Sequence, residues 1–137
     1  MYLLDTNIIS ELRKSKPHGA VLAWFQAVPS SQIFLSAVTI GELQAGIEKT
    51  RRQDARKALE IEVWLANLPV SFNVLSMDID CFREYARLMD GKTHDLIEDA
   101  MIAATARVHR FTVVTRNTKD FQHFFVETLN PFSTSRS

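Results

Sequence analysis

The chain has 137 residues, 46% hydrophobic and 23% charged, a balance that suits one globular domain with its own core and excludes a disordered chain. Sixteen Lys plus Arg offset sixteen Asp plus Glu, so no global field draws the protein to nucleic acid, and any such contact needs basic residues gathered locally. The single cysteine, Cys81, excludes an internal disulfide framework and a cysteine-based zinc cluster.

Tyr2 to Leu4 reads as a short buried strand running into Asp5. Thr6 or Asn7 is placed to cap a helix through Ile8, Ile9 and Leu12, broken by Pro17. Val21, Leu22, Trp24, Phe25 and Val28 share a broad face of a second helix, ended by Pro29, Ser30 and Ser31. A strand at Ile33 to Leu35 precedes a helix over Ser36 to Glu48, apolar at Val38, Ile40, Leu43 and Ile47. The charged run from Lys49 to Lys57, read as a solvated face, leads into a helix ending near Asn67 and closed by Pro69.

Val74 and Leu75 form a third strand candidate, and Asp78 or Asp80 starts a helix carrying Phe82, Tyr85, Leu88 and Met89 up to Gly91. Asp95 to His109 is a strong helix with AMIAATA at its centre. Thr112 to Thr115 is the clearest strand, β-branched throughout, and Phe124 to Leu129 adds an edge strand. One domain is expected over residues 1–132, with a disordered tail over 133–137. The alternation predicts an α/β fold with a mostly parallel sheet, which places functional groups beyond the carboxyl ends of its strands. Neither a signal peptide nor a membrane span is expected, and the cysteine usage suits a reducing cytoplasm.

Several acids are positioned to meet at such an edge. Asp5 ends the first strand, Glu42 lies in the first turns after the second, Asp99 lies inside the most apolar helix, and Asn117 and Asp120 follow the TVVT strand. Asp99 is the most informative, because an ionised carboxylate half-buried among Leu96, Ile97, Ala100, Met101 and Ile102 is costly without a counter-charge. Asp95 and Glu98 are second candidates. Carboxylates aimed at one point are reconciled by a hard divalent cation, Mg²⁺ or Mn²⁺. Taken singly, Asp5 is as readily a helix N-cap, Glu42 a solvated acid, and Asn117 and Asp120 turn residues; the set carries the signal. Arg13, Lys14, Lys16, Arg116 and Lys119 lie near the same strand ends and are the RNA-contact candidates. His94 and His109 read as helix-flanking, and Cys81, Trp24 and Trp64 as packing residues.

Four stretches in order, LLDTNIISEL, LSAVTIGELQAGI, DAMIAATA and TVVTRNTKDF, together resemble the PIN-domain family, and more closely its VapC-type toxins of bacterial type II toxin–antitoxin operons, including the FitB-like branch. They span Leu3 to Phe121, and the LNPF at Leu129 to Phe132 is similar to that branch. The resemblance implies an α/β/α sandwich around a parallel sheet, and a Mg²⁺- or Mn²⁺-dependent ribonuclease, with tRNA among its candidate substrates. It puts the family's three acids on Asp5, Glu42 and Asp99, with Asp5 and Asp99 holding metal and Glu42 completing the shell or orienting water. Thr6 and Thr115 match the family's hydroxyl residues. The place of a fourth acid holds Asn117, with Asp120 three residues on. The implied partners are a second copy of the chain and a VapB-like antitoxin, through which alone operator DNA is met. The antitoxin would send a basic side chain among the acids, and the apolar faces near Ile8, Ile9, Leu12, Trp24, Leu43 and Ile47 are candidate docking surfaces that core packing explains equally well. Two rivals remain: a binding module with a dead site, supported by Asn117, and a haloacid-dehalogenase-like phosphatase, which needs a second Asp where Asn7 stands.

Overall fold

In the computed structural model, which describes residues 1–133, five parallel strands form one sheet in the order β3-β2-β1-β4-β5. They are β1 (Tyr2–Leu4), β2 (Ile33–Ser36), β3 (Asn73–Leu75), β4 (Thr112–Val114) and β5 (Thr128–Leu129). Between them run α1 (Thr6–Arg13), α2 (Gly19–Ala27), α3 (Ala37–Arg51), α4 (Ala55–Ser71), α5 (Ile79–Met89), α6 (Ile97–His109) and α7 (Thr118–Gln122). No helix among the described residues is long and apolar enough to cross a membrane.

The three inner strands are apolar except at Ser36 and Thr112, at the end of β2 and the start of β4, as suits a sheet covered on both faces. Alternation divides them between two cores. Leu4, Leu35 and Val114 lie in register and join Ile8, Val21, Ile47, Ala58 and Leu65, so α1 to α4 cover that face. Leu3 and Val113, one residue back, join Ile102, Ala103, Phe121 and Phe124 on the face covered by α5 to α7. The result is the α/β/α sandwich that the family resemblance implies, built on the parallel sheet that the strand–helix alternation predicts. The alanines of α6 serve close approach: Ala100, Ala103, Ala104 and Ala106 are fully buried.

Helix starts are set by short polar side chains. Ser36 accepts from the Val38 amide, Asp54 from Lys57 and Asp78 from Cys81, each satisfying an amide that the helix itself cannot. Asp5, rather than Thr6 or Asn7, caps α1. Pro69 does not close α4, which continues to Ser71: a proline forfeits its own amide bond, but the ladder resumes beyond it, where the Phe72 amide reaches the Leu68 carbonyl at 2.8 Å. The expected helix from Asp95 begins at Ile97, after a 3₁₀ turn over His94–Leu96. The expected strand over Phe124 to Leu129 shrinks to Thr128–Leu129, because Phe124 is buried behind α7 and Phe125 turns the chain at φ 52°. Of the expected docking residues, Ile8, Ile9 and Ile47 are core, at most 2% exposed. The expected tail lies outside the described residues from 134 onward.

Candidate active site

The chain lays down β1, β2 and β3 outward in one direction, then crosses back to place β4 on the other side of β1. The switch point therefore lies beyond the carboxyl ends of β1 and β4, where an open parallel sheet leaves a crevice. Asp5 follows β1 and Thr115 follows β4, and the Asp5 amide donates to the Val114 carbonyl at 2.8 Å, carrying the ladder one step past the strands. The resulting cleft, about 500 Å³, is lined by Asp5, Glu42, Asp99, Arg116 and Asn117 together with the exposed side of α1.

Asp5 is only 6% exposed and both its oxygens are engaged. Oδ1 accepts from the Thr6 amide at 2.8 Å, and Oδ2 accepts from the Thr115 hydroxyl at 2.8 Å and the Asn7 amide group at 3.3 Å. The helix-cap reading and the site reading of Asp5 thus describe one residue. Burial nevertheless wins over these donors and pushes its carboxyl above the ordinary range, with the Asp120 charge adding to the rise.

Glu42 enters from α3, half-buried, and its Oε1 accepts from the Thr6 hydroxyl at 2.7 Å; the buried Thr39 hydroxyl lies 3.1 Å from that of Thr6. Burial raises the Glu42 carboxyl, and the charges of Asp5 and Glu98 raise it further. Asp99 stands in the first turn of α6. Burial first, then the charges of Asp5, Asp120, Glu42 and Glu98, push it up to about 7. None of the main influences on these three acids is a cation. Among the described residues, no three His, Cys, Asp or Glu side chains stand close enough together to hold an ion between them.

Asn117 lines the cleft, and its amide donates to the Thr115 hydroxyl at 3.0 Å, but its side chain makes no capping bond to α7. Asp120 lies outside the cleft wall yet acts on Asp5 and Asp99 through its charge. Asp95 is exposed on the 3₁₀ turn and is not part of the constellation.

The basic candidates separate by helical geometry. Asn7, Glu11 and Lys14 are four and three residues apart and line the cleft along one side of α1. Arg13 is turned about 100° from Lys14. It leaves the cleft and lies over Trp64, 5.7 Å from the ring centroid. Lys16 and Lys119 are exposed and outside the cleft wall. Lys14 is paired with Glu11 at 2.9 Å, and Glu11 also accepts the His18 amide at 2.9 Å; these contacts hold its carboxyl below the ordinary range. Asn7, Thr39 and Glu11 were not singled out by sequence. For Asn7 and Glu11 the i, i+4 spacing on α1 was the available signal.

The sequence matches the PIN domain family over residues 2–124. It is 41% identical over 140 residues to the VapC ribonuclease Y4jK of Sinorhizobium fredii, covering 96% of this chain and 98% of that one. It is 34% identical over 137 residues to the toxin FitB of Neisseria gonorrhoeae, covering 96% and 99%. Among solved structures, a FitAB complex bound to an IR36 DNA fragment superposes with a TM-score of 0.84 at 30% identity, over 99% of both chains.

Proposed function

The chain belongs to the PIN-domain family, and on that premise we propose that it is the toxin of a type II toxin–antitoxin pair, a ribonuclease that hydrolyses RNA phosphodiester bonds in the cleft beside Asp5. One observation carries the reading. Three carboxylates, from the end of β1, from α3 and from α6, are brought into one crevice, where Asp5 raises Glu42 and both raise Asp99, and no cation is among the main influences on them.

The donor set fits a hard divalent ion, Mg²⁺ or Mn²⁺, which prefers oxygen, keeps several waters and is commonly held by only one or two carboxylates. Asp5 and Asp99 would hold it, with Glu42 acting through water, an arrangement that needs no three acids in contact. When bound, such an ion supplies Lewis acidity and counter-charge for phosphoryl transfer. The chain's own groups do the rest. The Thr6 amide and the Thr115 hydroxyl donate to Asp5 and favour its ionised form against the burial that raises it. The Thr6 hydroxyl fixes Glu42, whose raised carboxyl is suited to orient the attacking water and take its proton.

Cleavage of a mixed RNA pool containing tRNA, in Mg²⁺, Mn²⁺ or EDTA, with Asp99→Asn alongside, tests the proposal. Discrete products that require metal and vanish in the variant are expected. Absence of cleavage from folded, partner-free protein would favour a binding module instead, for which Asn117 in place of a fourth acid is the supporting observation.

The same reading gives the chain a VapB-like antitoxin as partner, reaching operator DNA only through it, and a cytoplasmic place of action. A basic antitoxin side chain would neutralise the unrelieved acids. Its apolar segment would enter the cavity of about 270 Å³ lined by Leu12, Phe25, Trp64 and Phe72, rather than the buried faces of Ile8 and Ile47. A second copy of the chain would meet the outer side of α4. There Leu59, Val63 and Val70 are 58%, 57% and 84% exposed, in line with exposed Ala66. Their spacing of four, three and four residues forms one stripe along α4, which suits a two-fold contact between the same patch on two copies. Both cores share the one sheet, which supports a single domain over residues 1–132.

A further inference from the structure

The LNPF stretch takes no part in the acid network and lines a separate cavity through Leu129, Asn130 and Pro131, yet it braces Arg116, which lines the acid cleft. Its first residue, Leu129, accepts the Thr115 amide at 2.9 Å and so holds the stretch beside the end of β4. Asn130 pins the turn twice: its side-chain amide donates to the Arg116 carbonyl at 3.5 Å, and its Oδ1 accepts the Phe132 amide at 2.9 Å. Pro131 is buried and Phe132 half-buried. The Phe132 ring lies 5.0 Å from the His18 ring, tilted by 58°, and the Arg116 guanidinium carbon sits 4.6 Å from its centroid.

Arg116 is exposed and lines the cleft with Asp5 and Asp99, but it is absent from the main influences on either carboxylate. Its guanidinium is engaged by the aromatic ring instead of the acids. An arginine plane backed by an aromatic ring is the kind of surface on which an unpaired nucleobase stacks. The chain has a formal net charge of zero, so it has little general attraction for phosphates, and a base contact would add to its hold on a strand.

We infer that Arg116 on Phe132, braced by His18, is a stacking platform for one unpaired nucleobase neighbouring the scissile phosphate. The substrate is then single-stranded at that position. This rests on the ribonuclease reading and adds to it a base-binding subsite at the rim.

The test uses the full chain and a 12-nucleotide single-stranded RNA of mixed sequence, bound in EDTA. One set of oligonucleotides carries 2-aminopurine at each position in turn, another a single abasic residue at each position. Wild type should quench 2-aminopurine at one or two adjacent positions, and an abasic residue there should weaken binding about tenfold. Phe132→Leu should lose both effects, and Phe132→Trp should restore them, which a merely structural ring would not do in a position-dependent way. A uniform abasic profile for wild type, with RNA still bound, would overturn the platform while leaving the ribonuclease reading intact. Arg116→Lys with unchanged affinity and profile would also overturn it, marking a phosphate contact. Wild type that neither binds nor cleaves RNA would remove the ribonuclease reading and the platform with it.

Discussion

The Thr115 hydroxyl donates to Asp5 Oδ2 at 2.8 Å across 110 residues of chain, and it is the strongest influence keeping that buried carboxylate ionised. Thr115→Val keeps the shape and removes the donor. It should cost about 1–3 kcal/mol of stability at pH 8, a fall of a few degrees in Tm, because the carboxylate stays buried with one partner fewer. The acid limb of the activity profile should move to higher pH, since Asp5 then protonates more easily. Thermal melts and a pH–rate profile check both, with Thr115→Ser expected to resemble wild type.

Asp99 gives a pH dependence whose sign is fixed. Its folded value of about 7 exceeds the ordinary 3.8, so between these limits the folded state keeps a proton that the unfolded chain releases. The stabilisation is complete below pH 4 and is lost as pH rises through 7. Asp5 and Glu42 are raised too and steepen the slope. After allowance for the solvent reaching Asp99, the effect is about 1–2 kcal/mol. In EDTA, Tm should therefore fall between pH 5 and pH 8, and Mg²⁺ should flatten the trend. Asp99→Asn should melt higher than wild type at pH 8, and a flat wild-type trace would refute the coupling.

Asn117 and Asp120 are separable by charge. Asp120 raises Asp5 and Asp99, whereas Asn117 contributes its backbone amide to Thr115. Asp120→Asn should weaken Mg²⁺ binding several-fold in calorimetry and lower the apparent pKa of Asp99. Asn117→Ala leaves that amide in place and should change metal affinity less than twofold. The reverse order would assign the fourth position to Asn117.

Val63→Glu tests the outer face of α4. A charge there meets only solvent in a single copy but faces its symmetry mate in a two-fold pair. The variant should keep its Tm within a few degrees in dilute solution and shift to monomer in sedimentation, while Glu60→Lys beside the stripe should not. A wild type that is monomeric at high concentration would exclude this surface.

How far the sequence could be read depended on whether a residue's role was local. Asp5 and Asp99 stood out because each conflicts with its surroundings: an acid ends a buried strand, and another interrupts an alanine-rich helix. The strands followed from β-branched and apolar runs, and the sheet from alternation. Arg13 lies off the cleft because nearness in sequence to Asp5 says nothing about which side of α1 a residue occupies. Pro69 did not end its helix because a proline costs one amide bond and a local clash with the preceding turn, and residues beyond it can still bond back across it. The short α7 has too few residues for a period, and only the burial of Phe121 and Phe124 against the second core holds it. Thr39 was invisible because its partner, Thr6, is 33 residues away.

The central place of β1 has a consequence in time. Asp5, Glu42 and Asp99 are all made before β4, yet until β4 exists the first strand lacks its partner on that side, and the acid at its end lacks both the Val114 carbonyl and the Thr115 hydroxyl. At ordinary rates of synthesis, roughly 5–20 s separates the two ends of that hydrogen bond. A nascent or truncated chain thus carries three of its acids without the cleft that unites them. The site is therefore completed only once β4 is laid beside β1, late in synthesis.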